Sequence, residues 1–461
     1  MLPNDTIAAV CTAPGQSGIG IIRISGDNSL TIAQKIFKPK KSTLKLELQI
    51  NEMLFGHIYS DTEIIDEVFC VYMKAPRSYT AEDVVEIHCH GGFIIMQKIL
   101  SLLYKIGTRS AEPGEFTKRA FLKGRIDLTQ AEAVMSLIRA QSEAALKQAL
   151  YQQQGVFSQK IRKIRNLLKE ILVEVEAVID YPEEDIEDVT SEKIMVCLKK
   201  VQQDVIQLLA SAKTGKIIKD GLRTVIIGKP NVGKSSLLNA LAGENLAIVT
   251  DIAGTTRDTI EEQIFFEGIP LVLIDTAGIR DTKDKLEQLG IERSREKLAQ
   301  ADMVLLLLDG SQPLAAEDVH LLEIVKDKPH ILLVNKNDLK QQIQKEQLQE
   351  RFSLQQEDIV IISIVNRSGW QQFSNRLKEK VYGESAVLGE GIYVQEARHK
   401  ALLGQAQKSL EDALLAVIGQ MPLDCILIDV KDAFNSMGLI IGETVTDEVL
   451  QEIFSRFCLG K

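Results

Sequence analysis

Thr224-Val-Ile-Ile-Gly-Lys-Pro-Asn-Val-Gly-Lys-Ser235 sets a short apolar run directly before a glycine-rich turn and a lysine–serine pair. Thr224–Ile227 has the composition of a buried strand, and the residues after Ser235 open a helix. In that strand–loop–helix order, G-x-x-x-x-G-K-[ST] is a phosphate-binding loop. Gly228 and Gly233 let backbone N–H groups turn inward onto phosphate oxygens. Lys234 is placed to reach the β- and γ-phosphates, and the Ser235 hydroxyl to bind Mg²⁺. Ser236 joins the nucleotide contacts at the start of the helix.

Outward from the loop, the pattern of strand, loop and helix continues from about 221 to 383. Apolar runs at Leu271–Ile274, Met303–Leu308, Ile331–Val334 and Ile359–Ile362 predict further buried parallel strands. Asp275-Thr-Ala-Gly278 follows one of them; Asp275 would hold Mg²⁺ through water, and the Gly278 N–H would sense the γ-phosphate. Asn335-Lys336-Asn337-Asp338 follows another. The Asp338 carboxylate can accept two hydrogen bonds from the N–H and amino groups of guanine, a pair that adenine cannot supply. Gly254-Thr-Thr-Arg-Asp258 lies between and offers Thr256 as a ligand to Mg²⁺. Each tetrapeptide alone is a weak signal, and their order together specifies GTP over ATP.

Two positions depart from the Ras pattern. There the residue after the Asp-Thr-Ala-Gly segment is a Gln that orients the attacking water; here it is Ile279, which cannot hydrogen-bond through its side chain. Hydrolysis therefore requires another group to place the water. Asn231, inside the loop, has two readings: an amide that braces the loop, or an oxygen that holds a monovalent cation beside the phosphates.

The chain has 461 residues, 45% hydrophobic and 26% charged, which predicts a globular protein of several domains. No apolar run reaches the roughly 18 residues of a membrane span, and the N-terminus lacks the features of a signal peptide, so the expected location is the cytoplasm. Net charge is −10, which excludes a general nucleic-acid binder and confines any RNA contact to a local basic patch. Cysteines at 11, 70, 89, 197, 425 and 458 form no CxxC pair, against a zinc ribbon or a disulfide framework.

Residues 1–124 read as mixed α/β, with β-branched runs at Ile19–Ile24 and Val84–Ile87. From Leu128 the texture is helical almost to Asp180, with Thr129 and Glu132 placed as a capping box. Ile161, Ile164, Leu168, Ile171, Val175 and Val178 share one helix face. Helical texture returns after Val394, through Leu402, Leu410, Leu414 and Val417. A helical stripe cannot bury itself alone, so the economical reading is one discontinuous helical domain with the α/β module inserted into it.

GKPNVGKS, DIAGTTRD and DTAGIR resemble the potassium-dependent GTPases of translation and ribosome assembly. Residues 5–26, DTIAAVCTAPGQSGIGIIRISG, the segment PGEFTKRAFLKGRIDLTQAEA and the terminal FCLGK are similar to the MnmE (TrmE) family of tRNA modification GTPases, and the resemblance covers essentially the whole chain. It implies a tetrahydrofolate-binding and dimerisation domain at 1–124, helical segments at 125–220 and 384–461, and a Ras-like G domain at 221–383. It also implies a homodimer that joins an FAD-binding partner, MnmG, in a heterotetramer or larger complex. That complex modifies carbon 5 of the wobble uridine of tRNA with a one-carbon unit from a tetrahydrofolate; FAD enters through the partner alone. GTP hydrolysis would be coupled to G-domain dimerisation. By the same resemblance Asn231, Thr250, Ile252 and Thr255 would coordinate K⁺, and Glu287 would place the water through a bridging molecule. Thr250, Thr255 and Ser363 would join the GTP contacts, and Arg23, Glu86, Arg125 and Lys461 would bind the folate. Arg and Lys suit its carbonyl and carboxylate oxygens, while a carboxylate suits its amino and N–H donors. Arg125 stands where some members have Lys, and Ser363-Ile364-Val365 replaces the usual Ser-Ala-Lys/Arg. A ribosome-assembly GTPase without folate chemistry is the alternative.

Weaker signals remain. His88 and His90 share one strand face and Cys89 takes the other, so the three do not converge on a metal. Cys458 is either a small buried hydrophobe or a reactive thiol of the C-terminal signature. Lys38, Lys40 and Lys41 read as a solvated loop. Lys160, Arg162, Lys163 and Arg165 read as a solvated helix face or as a contact for the tRNA backbone.

Overall fold

Alternating β-branched residues near the N-terminus pair into strands that turn successive side chains to opposite faces of a sheet. The structure, a computed structural model, describes residues 5–40, 50–180, 191–243, 262–274, 298–352, 354–383 and 391–461. They fall into two compact units. One comprises Met1–Met135, Gln152–Val189 and Gln420–Lys461; the other comprises Ser136–Tyr151 and Thr190–Gly419.

The first unit holds β1 (Ile7–Val10), β2 (Ser17–Ser25), β3 (Phe37–Pro39), β4 (Met53–Ser60), β5 (Glu63–Met73), β6 (Val84–Gly91) and β7 (Arg109–Ser110), in the order β3-β4-β5-β6-β2-β1-β7. All neighbours are antiparallel except β1 and β7. Ile22, Ile24, Val85, Ile87 and Cys70 pack on one face under the helices Ser29–Ile36 and Phe93–Ile106. Burying each side chain of that size contributes roughly 1.5–3 kcal/mol. Register sets Arg23 opposite Glu86, and Glu86 opposite Val71, in one row of the other face. That face leaves Met53, Phe55 and Phe69 exposed, with the Phe55 and Phe69 rings 5.2 Å apart.

The helical texture expected as far as Asp180 is three helices, Leu128–Arg139, Glu143–Gln153 and Val156–Asp180. The cap of the first is also shifted from its expected place. Asp127, not Thr129, caps it: the Asp127 carboxylate accepts from the Gln130 N–H at 3.0 Å, and the Gln130 side-chain oxygen accepts from the Asp127 N–H at 3.0 Å. That is a capping box two residues earlier. Thr129 is instead inside the helix and buried, its hydroxyl within 2.6 Å of the Ser158 hydroxyl and donating to Asp127 at 2.8 Å. Ile161, Ile164, Leu168, Ile171 and Val175 are buried as the stripe requires, and Val178 is half-buried.

In the second unit the strands are β8 (Leu222–Ile227), β9 (Glu262–Phe266), β10 (Ile269–Leu273), β11 (Met303–Asp309), β12 (His330–Asn335) and β13 (Ile359–Ile361). Their order is β13-β12-β11-β8-β10-β9. All pairs are parallel except β9 with β10, a hairpin closed by Glu267-Gly268. The five apolar runs are the five parallel strands; the antiparallel edge β9 has no counterpart among them. Phe266 on that edge stacks on Phe373 at 5.0 Å and meets Trp370 edge-on at 5.7 Å, which fixes the edge to the helix Trp370–Tyr382. Apolar clusters fill both faces of the sheet. In such sheets ligands bind beyond the carboxyl ends of the strands.

Each long helix ahead of the parallel sheet packs on one that follows it in sequence. Val156–Asp180 pairs with Leu423–Ile441 in the first unit, and Ser191–Asp220 with Ala397–Ile418 in the second.

The shifted cap has a measurable consequence. Asp127→Ala is expected to cost the first unit about 1 kcal/mol through the lost cap, read as a lower midpoint in urea. Thr129→Ser, which keeps the hydroxyl and loses a methyl group, should cost less.

Candidate functional site

The second unit gathers the loops that follow β8, β12 and β13 at the carboxyl end of the sheet. After β8 the chain enters the loop at Gly228 and leaves it at Gly233, which caps the helix Lys234–Ala242. Gly233 has φ +109, and a Cβ there would lie 2.6 Å from the Asn335 amide nitrogen, so the position admits glycine alone. Asn231 is exposed and also has a positive φ, 62°, which asparagine tolerates better than most residues. The Lys234 ammonium donates to the carbonyls of Gly228 and Lys229, both at 2.7 Å, and burial pushes its pKa down.

Asn335 ties the loops together. Its amide donates to the Val232 carbonyl at 2.9 Å and accepts from the Ile364 N–H at 3.2 Å. Asp338 is exposed, with its carboxylate held by the Ser363 hydroxyl at 2.5 Å. Ser363 is buried and Val365 is 87% exposed, so the segment that departs from the usual pattern presents an apolar side chain outward.

Two residues that sequence reasoning missed hold this edge. Asp309, the last residue of β11, accepts from Lys336 at 2.6 Å. Burial opposes its charge, but the bonds from Lys336 and Ser311 prevail and keep the carboxyl below its usual range. Its place at the end of an apolar strand, like that of Asn335, is the signal that could have found it. The buried Asp318 pairs with the loop's Lys229 at 2.7 Å. It sits in a helix with no motif to mark it. Thr250, Ile252, Thr255, Thr256, Asp275, Gly278, Ile279 and Glu287 lie outside the described residues.

A second constellation occupies the first unit. Arg23 on β2 donates through Nε to Glu86 Oε1 on β6 at 2.8 Å, and its Nη2 is 2.8 Å from the same oxygen. Its Nη1 is buried and has no hydrogen-bond partner among the described residues. An unsatisfied buried donor costs about 1–3 kcal/mol, so a carbonyl or carboxylate oxygen arriving there is favoured. The Arg23 guanidinium lies 4.8 Å from the centre of the Tyr79 ring and 5.5 Å from that of Phe116. Arg125 lies 4.9 Å from Tyr79.

The chain's end reaches the same place. The Cys11 thiol donates to the Gly460 carbonyl at 3.1 Å. Gly460 has φ +87, and a Cβ there would lie 2.1 Å from the Val10 carbonyl oxygen, so the tail approaches β1 as only glycine allows. Burial pushes the Cys11 thiol pKa up; Glu86 adds to the rise, while Arg23 and Lys461 oppose it. Cys11 therefore lies among three of the four residues carried over for folate, and Tyr79 connects the fourth. Cys458 is exposed, and its carbonyl accepts from the N–H groups of Gly114 at 3.4 Å and Lys461 at 3.3 Å.

The metal and RNA signals resolve differently. His88 lies 3.4 Å from Glu86, His90 Nδ1 lies 2.7 Å from Asp66, and Cys89 is buried on the far face with its thiol donating to Gly20. Among the described residues no group of three His, Cys, Asp or Glu could hold a metal ion. In the basic run, Arg162 pairs with Asp127 at 2.8 Å, and Arg165 pairs with Glu443 and lies 3.9 Å from the Phe434 ring. Both guanidinium groups are partly spent on the protein itself.

Comparison with known proteins covers the whole chain. A family model described as the MnmE helical domain matches residues 128–458, and one described as the N-terminus of the GTP-binding protein TrmE matches 6–125. The chain is 48% identical over 461 residues to the tRNA modification GTPase MnmE of Clostridioides difficile (strain 630), with 100% of each covered. It is 47% identical over 461 residues to that of Lactiplantibacillus plantarum, covering 99% of this chain and 98% of the relative. The G domain of the T. maritima FeoB iron transporter matches 34% of this chain and 98% of its own at 27% identity, with a TM-score of 0.26, a likeness too small to define the fold. The model over residues 128–458 spans more than half of the chain, and with these full-length identities it decides the relationship: the chain belongs to the MnmE family.

Proposed function

We propose that the chain is a GTPase acting in tRNA modification, and that it serves the carbon-5 modification of the wobble uridine with a one-carbon unit taken from a tetrahydrofolate. The observation that carries the folate reading is Arg23: clamped by Glu86, beside two aromatic rings, with a buried nitrogen that lacks an acceptor among the described residues. Arg125 and Lys461 supply further positive charge for carboxylate oxygens, and Glu86 supplies an acceptor for amino and N–H donors. When bound, the folate supplies the carbon that is transferred; the chain's own residues orient it and neutralise its charge.

In the nucleotide site, Lys234 exchanges the carbonyls it now holds for phosphate oxygens, and Asp338 accepts from guanine while Ser363 keeps its carboxylate turned. Mg²⁺ is bound by Ser235 and Thr256, and K⁺ beside the phosphates by Asn231, Thr250, Ile252 and Thr255. Glu287 places the water that Ile279 cannot. We assign the folate-binding domain to 1–124, the G domain to 221–383 and the helical segments to 125–220 and 384–461. The exposed apolar face at Met53, Phe55 and Phe69 supports a homodimer formed through the N-terminal domain, which then joins the FAD-binding partner MnmG and tRNA. Among the described residues no helix is long and apolar enough to cross a membrane, and we place the protein in the cytoplasm.

Titration with 5-formyltetrahydrofolate tests the central reading. The full chain is expected to bind it, and Arg23→Ala to bind at least about tenfold more weakly, the worth of a lost charged contact. A chain that ignores folate and co-sediments with a ribosomal subunit in high salt would instead be an assembly GTPase.

Potassium should raise the rate of GTP hydrolysis well above that in sodium, because the cation stabilises charge developing on the phosphates. Asn231→Ala should erase most of the difference between the two salts, and equal rates in the unaltered chain would remove the cation from the mechanism.

Glu287→Ala is expected to keep GTP affinity and lose turnover by about 100-fold or more, the range for a group acting in proton transfer or on the attacking water. Single-turnover hydrolysis at saturating GTP measures it; normal turnover would clear Glu287 of that role.

A further inference from the structure

Tyr79 lies in the loop before β6, where no motif marks it, yet the cations of the N-terminal pocket converge on its ring. The Arg23 guanidinium lies 4.8 Å and that of Arg125 4.9 Å from its centre. The phenol oxygen is 2.9 Å from the Thr117 hydroxyl, and the ring packs beside Phe116 in a small cluster with Ile7, Ala9 and Ala111. The ring is thereby held at two places, by packing and by a hydrogen bond.

Two guanidinium groups on one ring repel each other. The negative face of the ring offsets part of that repulsion, and an oxygen-bearing ligand between the cations would offset more. Arg23 spends Nε and Nη2 on Glu86 and leaves Nη1 buried without an acceptor among the described residues. Arg125 is exposed, so its guanidinium is open to an arriving ligand. One cation is thus half-buried and held by Glu86, the other is exposed, and a single aromatic side chain lies within 5 Å of both.

We propose that Tyr79 is a positioning residue of this pocket: its ring holds Arg23 and Arg125 in one arrangement, so that both meet a single ligand bearing carbonyl and carboxylate oxygens. The inference rests on the reading of the pocket as a reduced-folate site, and it names the residue that spaces the two cations. The hydroxyl contributes through Thr117, but the face of the ring does the larger part.

Calorimetric titration of the full chain with 5-formyltetrahydrofolate tests this. Tyr79→Leu keeps apolar packing on Phe116 and removes the ring face; it should weaken binding about tenfold, within the range of a desolvated cation–ring contact. Tyr79→Phe should stay within about twofold of the unaltered chain, because the ring remains. The decisive readout is coupling: Arg125→Ala should cost much less in the Tyr79→Leu background than in the unaltered chain. A purely structural role would lower Tm without that coupling. Should Tyr79→Leu fail to fold, Tyr79→Met serves as the second apolar variant. Full affinity in Tyr79→Leu, or strictly additive losses, would overturn the inference and leave the folate site standing. An unaltered chain that binds no folate would overturn both.

Discussion

The side chain of Asn335 is the constraint on which the nucleotide edge depends. One amide group joins the phosphate loop at Val232 to the loop after β13 at Ile364, with an N–H going one way and an oxygen accepting from the other. Asn335 itself closes β12, whose register with β11 fixes its depth in the sheet. A buried amide satisfied on both sides is costly to displace, since breaking either bond strands a polar group away from water. The same amide abuts Gly233, so the helix Lys234–Ala242 can begin there only because glycine leaves the room. Parallel strands bring these loops to one end of the sheet, and the amide determines how they meet.

This explains why so much of the second unit was legible in the sequence. Its five parallel strands are continuous apolar runs, as buried parallel strands must be, and GKPNVGKS, DTAG and NKND each follow one of them. What escaped was the antiparallel edge β9. Half of its neighbours are missing, so its sequence carries no long apolar run, and Phe266 finds its partners at Trp370 and Phe373 far along the chain. The helix starting at Leu128 was legible as a helix but misjudged at its first turn. Both Asp127 and Thr129 satisfy the cap's chemistry at the right spacing from a Gln or Glu. The choice between them was made by Ser158, on a different helix, which buries the Thr129 hydroxyl.

The first unit's pocket was legible in another way. Arg23, Glu86, Arg125 and Lys461 came from resemblance to a family, and nothing in their spacing could have assembled them. Sheet register does so for two of them: β2 and β6 are antiparallel, and the pairing that sets Ile22 against Ile87 on the covered face necessarily sets Arg23 against Glu86 on the open one. The basic run on the helix Val156–Asp180 shows the opposite limit. Its charges were legible, but their partners Asp127 and Glu443 lie on other elements, and only the fold reveals that Arg162 and Arg165 are already engaged.

The contact between Cys11 and Gly460 joins the start of the N-terminal sheet to a segment far along the chain. Cys11 and Gly460 are 449 residues apart, so the contact forms only after the residues up to Gly460 have been made. Gly460 fits against Val10 with no room for a Cβ, and Lys461 stands next to it. The contact between Cys11 and Gly460 cannot be completed by the N-terminal sheet alone, however well that sheet folds. The two sites therefore differ in kind. The described part of the nucleotide site is built from loops of one sheet, whereas Arg23 and Glu86 on a strand pair lie near a segment that follows Cys11 by 449 residues. A change far along the sequence, in the helices that deliver the tail, can thus disturb Arg23's surroundings without touching Arg23, while leaving the loop at Lys234 as it was.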